Sequence, residues 1–275
     1  MKTILLFGIS GKQGLASAYK ILENGFCVKG VTRNPDNQIL ADIKSKGASL
    51  VTANIDDCNS VISAMENVYG VFYYQPMLQN VDQEFEQAKN VIDAAKSCKI
   101  SHFTLSTAGG VQRNRKGPHF IILRKIEEYL IESGLKFTII RPTFFMDNLM
   151  RLTQKVGDKL IIPGIAYKDF PIHMISASDI GNYAALSFVK QELENAEIEI
   201  AGEAISLENV AKLITKHFNF TCDVKELSDE ELPPISNGRW LEKEWYIVDF
   251  EYLRSINPNM VSFKEWLENS GWKPV

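Results

Sequence analysis

Apolar positions along the chain fall into two alternating rhythms. Short unbroken runs at 4–7, 26–32, 49–53, 70–74, 102–106 and 136–140 are each followed by a segment whose apolar residues recur every three or four positions. The first rhythm predicts buried strands and the second amphipathic helices. The first helix carries Leu15, Ala18, Tyr19 and Leu22 and stops at Asn24-Gly25; others are predicted over 37–46, 59–66, 81–97 and 119–132. Such regular alternation predicts the α/β class: a doubly wound parallel sheet with helices on both faces. Ligands bind such sheets at the carboxyl ends of the strands, so the loops after all six strands should open on one crevice.

Beyond Arg141 the rhythm loosens. A short helix follows residues 142–148, then a loop at Pro163-Gly164, a helix opened by Ser178-Asp179 and a strand over 197–201. A helix over 206–217, a short strand at 220–224, an acidic loop over 228–234 and a helix from about 237 come next. The last helix opens at Ser262, with Glu265 placed for a capping box. The expected organisation is a nucleotide-binding domain over 1–142 and a smaller α+β lobe over 143–275 covering the crevice. Trp240, Trp245, Tyr246, Trp266 and Trp272 read as core of that lobe.

Composition narrows the function classes. With 45% hydrophobic and 23% charged residues among 275, the chain is of the ordinary soluble globular kind. No apolar run reaches the length of a membrane span, and the N-terminus shows no signal-peptide pattern. The net charge of -4 comes from interspersed signs without a basic stripe, so no direct nucleic-acid partner is expected. Cys27, Cys58, Cys98 and Cys222 are scattered and read as free thiols of a reducing compartment, cytoplasm or nucleus. Asp56-Asp57 reads as a helix-capping pair, and no metal site is expected.

The candidate chemistry starts at Gly8-Ile9-Ser10-Gly11-Lys12-Gln13-Gly14, directly after the first strand and opening the first helix. Glycine suits a turn where the backbone must approach a diphosphate, and helix-terminal N–H groups hold the charge. Where a carboxylate would select NAD, the second strand ends in Thr32 and Arg33, followed by Asn34. Arg33, with Lys12 as a second cation, favours a 2′-phosphate and hence NADP(H). Asn54 and Ile55, after the third strand, stand where adenine needs a polar edge and an apolar face. Gln75, Pro76 and Met77, after the fourth, would wall the cofactor's middle. No Tyr-x-x-x-Lys pair occurs. His119 is a candidate proton donor or a helix-capping residue, and Ser106 and Thr107 could bond nicotinamide or substrate oxygens, or cap a helix.

These stretches, with Asn90 to Ala95, Glu127 to Leu130, Ser133-Gly134-Leu135, Arg141-Pro142, Phe145 to Asn148, Ser178 to Gly181, Asn257-Pro258 and Phe263 to Leu267, resemble the NmrA-like family. These are atypical short-chain dehydrogenase/reductases that include fungal nitrogen regulators and a human NADPH sensor. The resemblance implies an NADP-binding Rossmann domain with Arg33 at the 2′-phosphate and Asn54-Ile55 at adenine. It implies Phe145, Met146, Asp147 and Asn148 at the nicotinamide end, and a histidine, here His119, in place of the catalytic tyrosine. Two departures stand out. Family members often carry an acid where Asn54 stands, and many keep a lysine four places after the histidine, where this chain has Leu123. Lys125, two places on, points roughly 200° away around a helix. A redox sensor or regulator with little or no dehydrogenase activity is expected, with a regulatory protein partner and an oligomer both open. The alternative is an NADPH-dependent reductase of quinones or similar small acceptors.

Overall fold

The computed structural model describes residues 1–113, 117–228, 231 and 246–274. The helix expected from about 237, with Trp240 and Trp245, lies outside the described residues, as does most of the acidic loop. The first part of the chain runs β1 (Thr3–Leu6), α1 (Lys12–Glu23), β2 (Cys27–Val31), α2 (Ala41–Ser45), β3 (Ser49–Val51), α3 (Cys58–Ala64), β4 (Gly70–Tyr74), α4 (Val81–Ser97), β5 (His102–Ser106), α5 (Pro118–Glu132) and β6 (Phe137–Pro142). It continues with β7 (Phe144–Phe145), α6 (Asn148–Leu152), β8 (Gln154–Val156), β9 (Lys159–Gly164), β10 (Pro171–Ile175), α7 (Ala177–Leu186), β11 (Ala196–Ile200), β12 (Glu203–Ser206), α8 (Leu207–Phe218), β13 (Cys222–Glu226), α9 (Phe250–Ile256) and α10 (Phe263–Asn269).

Seven strands form the main sheet in the order β11-β6-β5-β4-β1-β2-β3, parallel throughout. The Ile4 to Phe7 run is continuous rather than alternating because helices cover both faces, and all four side chains are buried. The chain leaves β1 outward to β2 and β3, then crosses back to β4 on the other side. That reversal puts the topological switch point, where ligands enter such sheets, between β1 and β4.

The sheet draws on both sides of residue 142. The strand expected over 197–201 in the smaller lobe is β11, and it extends the main sheet beside β6, Ile198 against Ile140. Helix α7 packs on α1 so closely that a Cβ on Gly181 would stand 2.7 Å from the Ala16 carbonyl. The remaining lobe holds two three-stranded sheets, β12-β10-β7 and β13-β9-β8, over a core that includes Met146, Ile172, Met174, Ile214, Phe263, Trp266 and Trp272. Pro163-Gly164, expected as a loop, instead ends β9 in register with Lys225 and Glu226. Tyr246 packs with the main-sheet core rather than the lobe's, its ring against Gly109.

The lobe is tied down by one carboxylate. Asp179, fully buried, accepts from Ser176 Oγ at 2.9 Å, Val261 N at 3.0 Å and Asn257 Nδ2 at 3.2 Å. Burial pushes its carboxyl up despite these donors. Ser262 and Glu265 form the expected capping box on α10, and Asp57 caps α3 through Asn59 N.

Candidate functional site

The turn after β1 is shaped by what its glycines exclude. Gly8 has φ +69, a left-handed conformation. A Cβ on Gly14 would run into the Gly8 carbonyl, so that glycine lets α1 pack on the strand. Ile9 is buried, its side chain filling the space above Gly30, while Ser10 is exposed. Helix α1 takes Gly11 as its N-cap, with no side chain bonded to the first-turn N–H groups. Elsewhere Asp57, Asn80, Ser176, Ser206, Asp249 and Ser262 each close a helix N-terminus with a side-chain oxygen. The start of α1, like those of α2, α5 and α6, therefore has no side-chain cap, which suits anion binding where the glycine turn leads into it.

Two side chains of this turn reach across the switch point. Gln13 Oε1 accepts from Ser106 Oγ at 3.1 Å, joining α1 to the end of β5. Lys12 Nζ donates to the Asp147 carbonyl at 3.2 Å and stands 3.8 Å from Asp147 Oδ1. The ammonium expected beside Arg33 is therefore engaged with the 145–148 segment, which it draws to the glycine turn. Asp147 Oδ2 also accepts from Ala177 N at 3.3 Å. Phe145 and Asn148 are half-buried, whereas the Met146 side chain is enclosed in the lobe core and leaves only its backbone to the crevice.

At the ends of β2 and β3 the polar groups stay outward. Arg33 is exposed and joins no ion pair among the described residues. Its loop is held by local bonds: Asn34 N donates to Thr32 Oγ1 at 3.2 Å, and Asp36 N to Asn34 Oδ1 at 3.1 Å. Asn54 repeats the device, its Oδ1 accepting from Asp56 N at 3.2 Å. Ile55 is half-buried, and its carbonyl accepts from Asn90 Nδ2 at 3.0 Å.

The β4–β6 end is different. Gln75 is buried, accepting from the Tyr73 hydroxyl and donating to the Pro76 carbonyl at 2.9 Å; Pro76 and Met77 are exposed. His119 Nδ1 lies 2.5 Å from Oε2 of Glu84, a fully buried carboxylate whose Oε1 accepts from Leu78 N at 2.7 Å. Thr107 Oγ1 donates to Glu127 Oε1 at 2.6 Å, and Arg141 binds both oxygens of Glu127 at 2.9 and 2.8 Å while also pairing with Glu197. Glu199, opposite Arg141 in the β11–β6 register, accepts from Gly110 N, Arg113 and Ile247 N. Leu123 is buried in the main core and Lys125 exposed, so neither offers an ammonium to this end. Among the described residues no cluster of three His, Cys, Asp or Glu side chains could hold a metal, and no helix is long and apolar enough to cross a membrane.

One residue that sequence reasoning missed is central. Tyr74, the last residue of β4, lays its phenol over the glycine turn, Oη donating to the Gly8 carbonyl at 3.3 Å. A Cβ on Gly8 would stand 2.5 Å from that oxygen, and one on Gly11 closer still. Burial pushes the phenol's pKa up, so it stays a donor. Surface concavities of about 640, 670 and 710 Å³ lie beside Trp272, between α8 and β13, and at the amino ends of β5 and β6. None of these three touches the glycine turn.

Comparison with known proteins agrees with this architecture. The sequence model of the NmrA-like family matches residues 1–268. An NAD(P)H azoreductase of Xenophilus azovorans is 24% identical over 216 residues, covering 77% of this chain and 72% of that protein. An NADPH-dependent quinone oxidoreductase of Escherichia coli, solved with NADPH, superposes with a TM-score of 0.81 at 19% identity, covering 97% and 99% of the two chains. NmrA, a negative transcriptional regulator solved with NADP, gives 0.78 at 16% identity over 98% and 94%.

Proposed function

The chain belongs to the NmrA-like family, and on that footing we propose that it binds NADP(H) at the β1/β4 switch point and serves as a redox sensor or regulator with little or no dehydrogenase activity. The residues fit the dinucleotide. The backbone from Gly8 to Gly14 and the uncapped start of α1 would hold the diphosphate. Arg33 and Asn34 would take the 2′-phosphate, an arginine–phosphate bond being worth roughly 1.5–3 kcal/mol. Asn54 and Ile55 would meet adenine, and Gln75, Pro76 and Met77 the cofactor's middle. Phe145, the Met146 backbone, Asp147 and Asn148 would border the nicotinamide.

Bound NADPH would supply a hydride; the question is what the protein adds to it. The observation that supports the regulatory reading is the burial of Leu123 in the main core, at the position where the family resemblance implies a lysine in many members. The nearby hydroxyls of Ser106 and Thr107 already donate to Gln13 and Glu127. No free proton donor remains among them. A regulatory protein partner would then read the cofactor state.

A second reading, reduction of quinones or similar small acceptors, is favoured by one observation. His119 is backed by a buried carboxylate, an arrangement that orients an imidazole to pass a proton. The azoreductase and quinone oxidoreductase similarities point the same way. Fluorescence titration with NADPH and NADP+, followed by absorbance at the nicotinamide band with a quinone panel, separates the two. Binding without oxidation is expected; turnover well above the protein-free rate overturns the regulatory reading.

A further inference from the structure

We propose that Tyr74 is a gate on the diphosphate seat: its phenol occupies the space that Gly11 keeps clear, and a dinucleotide must displace it. The inference rests on the NADP(H) reading above.

In a turn of this kind the second glycine lacks a side chain so that a diphosphate can approach the backbone. Here that space holds an aromatic ring. Tyr74 Oη and ring carbons come within 2.5–2.6 Å of a Cβ position on Gly8, and Oη is nearer yet to the one on Gly11. The ring and a diphosphate cannot share the site. The ring packs at the edge of a core cluster and bonds to the turn through a 3.3 Å contact with the Gly8 carbonyl, so the gate requires that bond to break and the ring to turn. Its position also suits a signal. Tyr74 begins the loop whose ends are pinned by Gln75 on Tyr73 and by Leu78 N on Glu84. Between those anchors Pro76 and Met77 are exposed, Met77 by 54%. A ring swung out by the cofactor would therefore disturb the exposed Pro76-Met77 segment.

Two measurements test the gate. In NADPH titrations followed by fluorescence, Tyr74→Ala is expected to tighten binding about tenfold, a change of about 1.4 kcal/mol. Tyr74→Phe, which loses only the hydroxyl bond, should tighten it about two- to threefold. Separately, and without cofactor, Gly11→Ala should lower Tm in the wild-type background because its methyl meets the phenol. Adding Tyr74→Ala should restore most of that loss, a coupling that reports direct contact. Wild-type binding that Tyr74→Ala weakens or leaves unchanged overturns the gate while the cofactor reading stands. Absence of NADPH binding to both wild type and Tyr74→Ala overturns the two together. A Gly11→Ala defect that Tyr74→Ala does not relieve removes the phenol from the seat and overturns the gate on its own.

Discussion

The two ends of the crevice are built on opposite terms. At the β1–β3 end, polar groups are held by short local bonds and face outward: Arg33, Asn34 and Asn54 are exposed, and Arg33 joins no ion pair among the described residues. At the β4–β6 end, Thr107, Glu127, Arg141 and Glu197 bind one another, and Ser106 and His119 each have a partner. Anion binding needs donors that lack acceptors. Proton transfer needs groups free to change partners. The difference sets an outward-facing end against an interlocked one, and the proposed regulatory role rests on that contrast.

The largest effect is expected where the closed end is broken. Arg141→Ala leaves Glu127 buried without its cation and should cost about 3–5 kcal/mol, read by denaturant unfolding. Arg33→Glu, on the open side, should leave that midpoint nearly unchanged, so equal losses would erase the contrast.

A control comes from the amino end of β5, away from both. Burial pushes His102 down from 6.5 to about 4, with Glu194 opposing in part. The unfolded chain then accepts a proton from about pH 6.5 downward that the folded chain refuses until about pH 4. Stability contributed by the neutral ring is present above pH 6.5 and lost as pH falls, by on the order of 3 kcal/mol once below both values. Subtracting the acid profile of His102→Gln from that of the wild type should show this slope, and parallel profiles would remove the assignment.

Arg33→Glu should next weaken NADPH by about 10- to 150-fold, corresponding to roughly 1.5–3 kcal/mol, with little change for NADH. The smallest effect is Lys12→Ala. Its ammonium is exposed and stands 3.8 Å from a mostly covered Asp147 carboxylate, so the stability loss should stay below about 1 kcal/mol and fade with salt.

Much of the frame was readable from local pattern. The run 70–74, the helical stripe over 81–97 and the run 102–106 coincide with β4, α4 and β5, because unbroken apolar runs and 3.6-residue periodicity are local properties. Pairing is not. The 197–201 segment reads as a strand, yet nothing near it says that its neighbour is β6, some 60 positions earlier. Leu123 reads as a missing lysine in a motif, but only the helix's seat on the sheet shows it facing the core. Tyr74 was hidden for the same reason: its phenol covers Gly8 only because β4 lies beside β1 in one register. Glu84 and His119 likewise meet across 35 positions.

The most direct measurement is the ratio of dissociation constants for NADH and NADPH on one preparation of the wild-type protein. An exposed Arg33 that joins no ion pair among the described residues predicts that NADPH binds at least about tenfold tighter. Equal constants for the two, or no binding of either, would contradict it.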